Sequence, residues 1–147
     1  MRVLFGGEFS HSIDPKGRIT IPAKFRTLLG NECYIARGFE GCLTIYSPKG
    51  WEQETGALFE GKTKDMEARL LKRAIFSSMS FVEFDKQGRV LLTPELRKIG
   101  SLEKDVMVIG VGDHVELWNK EMWDSSEYLS DEKLSALADK VFGKINN

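Results

Sequence analysis

No run of about 18 apolar residues occurs in this 147-residue chain, so a membrane-spanning helix is not expected. There is also no basic-then-apolar leader after Met1, which argues against a signal peptide and makes a cytoplasmic protein the expectation. Cysteine is scarce. Cys33 and Cys42 lack the close spacing of metal ligands and, in a reducing compartment, read as half-buried strand residues rather than a disulfide. Net charge is nearly absent as well, at -1, which excludes a protein coated in positive charge. No glycine-rich phosphate loop precedes a helix and no Gly-x-Ser-x-Gly elbow occurs. His11 and His114 have no ligand-spaced partners. Catalytic residues, a metal site and a cofactor are therefore not expected, and enzyme chemistry lacks a carrier.

What is present is a duplication. The stretch Asp14-Pro15-Lys16-Gly17-Arg18-Ile19-Thr20-Ile21-Pro22-Ala23-Lys24-Phe25-Arg26 returns 71 positions later, where Asp85, Gly88, Arg89, Val90, Leu92, Leu96 and Arg97 stand for Asp14, Gly17, Arg18, Ile19, Ile21, Phe25 and Arg26. After one inserted residue the agreement resumes at an offset of 72, with Gly38 meeting Gly110, Leu43 meeting Val115, Ile45 meeting Leu117 and Trp51 meeting Trp123. Repetition at a fixed offset means one small unit used twice. Units this short are marginal alone, so they are expected to share a core or to oligomerise.

The expected organisation is a first module over residues 1–51, a helical linker over 52–79, a second module over 80–123 and a C-terminal helix over 124–147. Phe9, His11 and Ile13 alternate with serines as in a half-buried strand. Residues 33–46 and 106–118 read as hairpins. Ser47 and Asn119 suit helix N-caps, Thr63 is expected to cap the linker helix, and Ser130 an amphipathic terminal helix. Fold class is expected to be α+β and mainly β.

The repeated turn has its own chemistry. Asp14 suits the first position of a type I turn, Pro15 presets the second, and Gly17 supplies the positive φ before the returning strand. Asp85 and Gly88 repeat these structural roles, which makes the two aspartates turn-formers rather than a catalytic pair. Ile19 and Ile21 share one face of the return strand, leaving Arg18 on the other, and Arg89 follows suit. Lys16, Arg18, Lys24 and Arg26, with Arg89 and Arg97, form the candidate binding set, because cations gathered on one face are the footprint of a phosphate backbone. The first 51 residues hold seven Lys or Arg against four acids, and the last 35 hold four against eight, so a local basic stripe coexists with a neutral total.

With those residues laid out, the chain resembles the MraZ family of bacterial transcriptional regulators, within the wider AbrB and SpoVT class of swapped-hairpin DNA-binding folds. The resemblance rests on Asp14 to Arg18 and Asp85 to Arg89, on the segments Pro22 to Arg26 and Pro94 to Arg97, and on Glu116-Leu117-Trp118. It implies two tandem modules forming a β-barrel-like core with peripheral helices and a ring-shaped homo-oligomer. It also implies a nucleoid-associated repressor that binds double-stranded DNA at promoter direct repeats before the division and cell-wall gene cluster. Within that picture Arg18 and Arg89 contact bases or phosphate, while Lys16, Lys24, Arg26 and Arg97 position the backbone. Gln87 stands where Lys16 stands in the first copy, so unequal turns are expected. A protein-interaction or antitoxin-like scaffold without a specific DNA target is the rival reading, and a small barrel enzyme a further one.

Overall fold

The first strand of each copy leaves its own copy and pairs with the other. In the computed structural model, which describes residues 4–126 and 130–143, the first copy comprises β1 (Glu8–Ser12), β2 (Arg18–Thr20), α1 (Ala23–Leu29), β3 (Glu32–Arg37), β4 (Leu43–Tyr46) and α2 (Pro48–Phe59). After α3 (Met66–Ser78), the second comprises β5 (Ser80–Glu83), β6 (Arg89–Leu91), α4 (Pro94–Ile99), β7 (Asp105–Gly110), β8 (Val115–Asn119) and α5 (Lys120–Asp124), and α6 (Asp131–Gly143) follows. A six-stranded sheet runs β1-β7-β8-β4-β3-β5, and β2 and β6 form a separate two-stranded ribbon. Every pairing is antiparallel. Strand β1 lies on β7 of the second copy, and β5 on β3 of the first.

Equivalent residues pair with each other at two places, Ile19 with Val90 in the ribbon and Thr44 with Glu116 between β4 and β8. An approximate twofold axis therefore passes through both. Sheet and ribbon enclose one core, with Ile19, Ile21, Phe25, Ile35, Leu43 and Ile45 from the first copy against Val90, Leu92, Leu96, Val106, Val108, Val115 and Leu117 from the second. Burial of each such side chain contributes roughly 1.5 to 3 kcal/mol, and neither copy could supply enough of them alone. Sharing one core is thus the way two marginal units become stable.

Four expectations from the sequence are not met. Arg37 stands opposite Leu43, and Gly110 opposite Val115, so Gly110 is the counterpart of Arg37 and not of Gly38. Added residues before β7 are partly offset by a shorter β7–β8 turn, which a single alignment offset conceals. The linker helix is capped by Asp65, whose Oδ1 accepts from the Glu67 and Ala68 N–H groups at 2.9 and 3.3 Å, and not by Thr63. Asp wins because it sits one residue before the first helical position, the place from which a side-chain oxygen reaches these donors. Among the described residues helices occupy more positions than strands, so the α+β fold is not mainly β; its strands are short and its helices α2, α3 and α6 long. Among the described pairings β1 and β5 remain sheet edges, so sheet and ribbon face each other over the core without closing into one hydrogen-bonded cylinder.

The two halves differ outside the core. On the first, α2 and α3 cover the outer face of β3 and β4 with a second cluster of Ala36, Tyr46, Trp51 and Ile75, joined by Tyr34, Phe59 and Phe76. Ser47 caps α2 and Asn119 caps α5, accepting from Gly50 N and Met122 N, each at 3.0 Å. Yet α5 is only five residues long, and α6 buries none of its residues.

Candidate nucleic-acid interface

Each Asp-x-x-x-Arg segment folds the same way for the same reason. Gly17 donates its N–H to the Asp14 carbonyl at 2.9 Å, and Gly88 to that of Asp85 at 3.0 Å, the i to i+3 bond of a tight turn. Their φ values of 85° and 76° lie in the left-handed region, where a side chain is strained. The aspartate then locks the turn from outside. Asp14 Oδ1 accepts from the Lys16 and Arg18 N–H groups, both at 2.9 Å, and Asp85 Oδ1 does so from Gln87 and Arg89 at the same distances.

The second carboxylate oxygen holds the arginine. Arg18 Nε donates to Asp14 Oδ2 at 2.7 Å, and Arg89 Nε to Asp85 Oδ2 at 2.7 Å. The aspartates thus have two tasks, the turn and the aim of a guanidinium, of which only the turn is readable from sequence. The backbone N–H of Arg18, followed by its side chain and the Lys16 N–H, holds the Asp14 carboxyl below its ordinary value against a partial desolvation, and Arg89 and Gln87 do the same for Asp85. Both carboxylates are charged at neutral pH.

Register then brings the two arginines together. Arg18 stands opposite Leu91 and Thr20 opposite Arg89 across the ribbon, and alternation puts all four on the outer face while Ile19 and Val90 enter the core. Arg89 Nη1 reaches across to within 3.8 Å of Asp14 Oδ2. Each turn is fastened to the other copy, Leu92 N donating to Gly17 O at 2.8 Å and Ile21 N to Gly88 O at 3.0 Å. The ribbon is therefore a rigid platform with Lys16 at one tip and Lys86 at the other, both exposed.

The remaining predicted cations fall into place differently. Arg26 is half-buried beneath the second turn, where a Cβ on Gly88 would meet its guanidinium carbon at 2.5 Å, and its Nε donates to the Ile21 carbonyl at 3.0 Å. Arg97 lies beneath the first turn in the same way, 3.5 Å from the Cβ position of Gly17, and its Nε is buried without a hydrogen-bond partner. Both arginines buttress the turns from below. Lys24 folds back over the rings of Phe9 and Phe25, its Nζ 5.4 and 5.7 Å from their centres. Lys86, outside the predicted set, occupies the turn position of Pro15 and gives the second turn a lysine despite Gln87. Leu91 is 54% exposed on the same face of the ribbon, where the first copy has Thr20.

One polar cluster lies elsewhere. His114, which the sequence leaves without a companion, bonds through Nδ1 to Asp113 at 2.7 Å and through Nε2 to Glu116 at 2.9 Å, and stacks on Tyr46 at 4.8 Å. Trp118 Nε1 donates to the other Glu116 oxygen at 2.9 Å. Burial disfavours the imidazolium, but the bonds to Glu116 and Asp113 outweigh it and raise the His114 pKa. The described residues contain no group of three or more His, Cys, Asp or Glu able to hold a metal. Cys33 and Cys42 are buried free thiols, pushed up to about 12 by desolvation. No helix among the described residues is long and apolar enough to cross a membrane.

The sequence has relatives. The family described as "MraZ protein, putative antitoxin-like" matches twice, over residues 4–74 and 75–144. The transcriptional regulator MraZ of Acetivibrio thermocellus is 41% identical over 140 residues, 94% of this chain and 96% of its own length. That of Thermomicrobium roseum is 41% identical over 120 residues, 82% and 84% of the two chains, and that of Natranaerobius thermophilus 36% over 138 residues, 94% and 96%. Two matches in tandem over nearly the whole chain, and identities above 30% across nearly the full length of relatives, show that the chain belongs to the MraZ family.

Proposed function

We propose that this protein is a sequence-specific transcriptional regulator that binds double-stranded DNA with the outer face of the β2·β6 ribbon and its two turns. The observation that carries the reading is the pair of arginines, Arg18 and Arg89, set on one face of a two-stranded ribbon and each held by Nε on an aspartate. A two-stranded ribbon fits the major groove, and a guanidinium whose Nε is engaged still offers its amino groups as a fork to guanine O6 and N7 or to phosphate. Lys16 and Lys86 at the tips suit the flanking phosphates. Arg26 and Arg97 contribute by stiffening the turns. The exchange of first strands between copies supports the swapped-hairpin class, and the names of the relatives support a role in transcription.

The fuller reading is a cytoplasmic, nucleoid-associated repressor of the division and cell-wall gene cluster, working as a homo-oligomeric ring on repeated promoter boxes. One ribbon with four cations and two acids binds weakly, and linked ribbons raise avidity through effective concentration. Binding of a labelled duplex from the region upstream of the protein's own gene, over a series of salt concentrations, tests this. Affinity is expected to fall with salt at about 0.9 log units per log unit of salt for each phosphate contact, and a one-box duplex to bind more weakly than one with several. Equal affinity for a shuffled duplex contradicts the reading. In that case the exposed Leu70 and Phe142, at 55% and 63%, favour the protein-interaction alternative.

A further inference from the structure

The approximate twofold symmetry breaks at the helices. In the first half α3 lies on β3, and the ring of Phe76 sits 5.4 Å from Trp51. The corresponding Trp123 of the second half meets Trp118 at 5.7 Å and gives its Nε1 to Glu8, while α6 buries none of its residues. Leu134, Leu137, Val141 and Phe142 of α6 are 39 to 63% exposed; the first three recur at three- and four-residue steps and Phe142 stands eight residues beyond Leu134, which gathers them into one stripe. At 100° per residue Glu132 and Asp139 border this stripe on one side, with Asp131 at that edge of it beside Phe142, and Lys133 and Lys140 lie on the other. The hollow beside α5 offers α6 no apolar seat, being lined by Glu103, Lys104, Asp105, Lys120, Glu121 and Asp124.

A groove of about 430 Å³ between α2 and α3 has the complementary character. Phe59, Ala68 and Phe76 form its apolar floor, and Arg69, Lys72 and Arg73 its rim. Lys72 Nζ stands 5.8 and 5.9 Å from the two ring centres, keeping positive charge over the aromatic floor. We infer that α6 of one protomer seats its apolar stripe in the α2–α3 groove of a second copy, with Asp131, Glu132 and Asp139 along the basic rim. This rests on the proposed self-assembly and names the surfaces that perform it. Each protomer gives one helix and accepts one, so the contact joins two different surfaces and closes into a ring when the rotation between neighbours allows it.

The test uses full-length chains. Ala68→Cys protein is mixed with Leu137→Cys protein and oxidised; Cys33 and Cys42 are buried and remain unreactive. A disulfide-linked pair of chains, one of each variant, is expected. In parallel, Arg69→Glu/Arg73→Glu is expected to reduce the mass measured by light scattering towards one chain while circular dichroism and melting temperature hold. Adding Asp131→Lys/Asp139→Lys to that variant is expected to restore the mass, an outcome that misfolding cannot produce. A disulfide that forms within single chains of an Ala68→Cys/Leu137→Cys double variant, with none between the two single variants, assigns the groove to its own α6 and overturns the inference. So does the parental mass in both Leu137→Glu and Arg69→Glu/Arg73→Glu proteins, or loss of duplex binding in the latter with mass unchanged, which makes the rim a phosphate contact. If the parent protein is itself a single chain, the self-assembly reading falls and the inference with it.

Discussion

At the scale of single residues, Asp14 and Arg18 differ in what they hold. Asp14 accepts two backbone N–H groups as well as the guanidinium, whereas Arg18 gives one side-chain bond and leaves the turn closed when it is removed. Arg18→Ala is expected to keep the melting temperature within about 2 °C of the parent, and Asp14→Ala to fall clearly below it, as a thermal scan will show. The carboxylates of Asp14 and Asp85 titrate below their unfolded values. Their contribution is therefore complete above about pH 3.9 and is lost as pH falls through the lower folded values, which keeps the turns intact across the neutral range. Gly88→Ala is the harsher change. It imposes a φ of 76° on alanine and drives a Cβ against Arg26, at a cost on the order of 1 to 3 kcal/mol in denaturant unfolding. The turn chemistry was legible in the sequence because it is local, four or five residues bonding to one another. The burial of Arg26 and Arg97 was not, because the surface that covers each belongs to the opposite copy.

At the scale of elements, strand registers decide what meets what. The duplication and the short helices after Pro22 and Pro94 were readable from periodicity and caps, but the exchange of β1 and β5 was not, since pairing partners far apart in sequence leave no trace in either strand alone. The same is true of Arg18 and Arg89, which become neighbours only when β2 pairs with β6. The β7–β8 turn carries a further consequence. His114 sits between Asp113 and Glu116 and has a raised folded pKa, so the stability it adds is present in full below its unfolded value near 6.5 and is lost as pH rises through the folded one. His114→Gln should lower the melting temperature at pH 5.5 by several degrees and much less at pH 9. An equal loss at both pH values places the role of His114 in packing on Tyr46 instead.

At the scale of the whole molecule, two units that cannot stand alone share one core and thereby fix a platform with two guanidinium groups on one face. Near-neutral total charge is no obstacle, since four cations and two acids gather at the ribbon while the C-terminal part holds the acidic excess. The most direct measurement is a fluorescence anisotropy titration of a labelled upstream duplex with the parent protein and with Arg18→Ala/Arg89→Ala, at one salt concentration and with oligomer mass checked by light scattering. Losing a good bidentate base contact costs about 1 to 3 kcal/mol, or roughly 5- to 150-fold in affinity per site, and the loss recurs at every engaged ribbon. The double variant is therefore expected to lose at least 100-fold in affinity while retaining the parental mass and melting temperature. Parental affinity in the double variant, or a loss that appears only together with a lower oligomer mass, would contradict the assignment of the ribbon as the DNA-binding face.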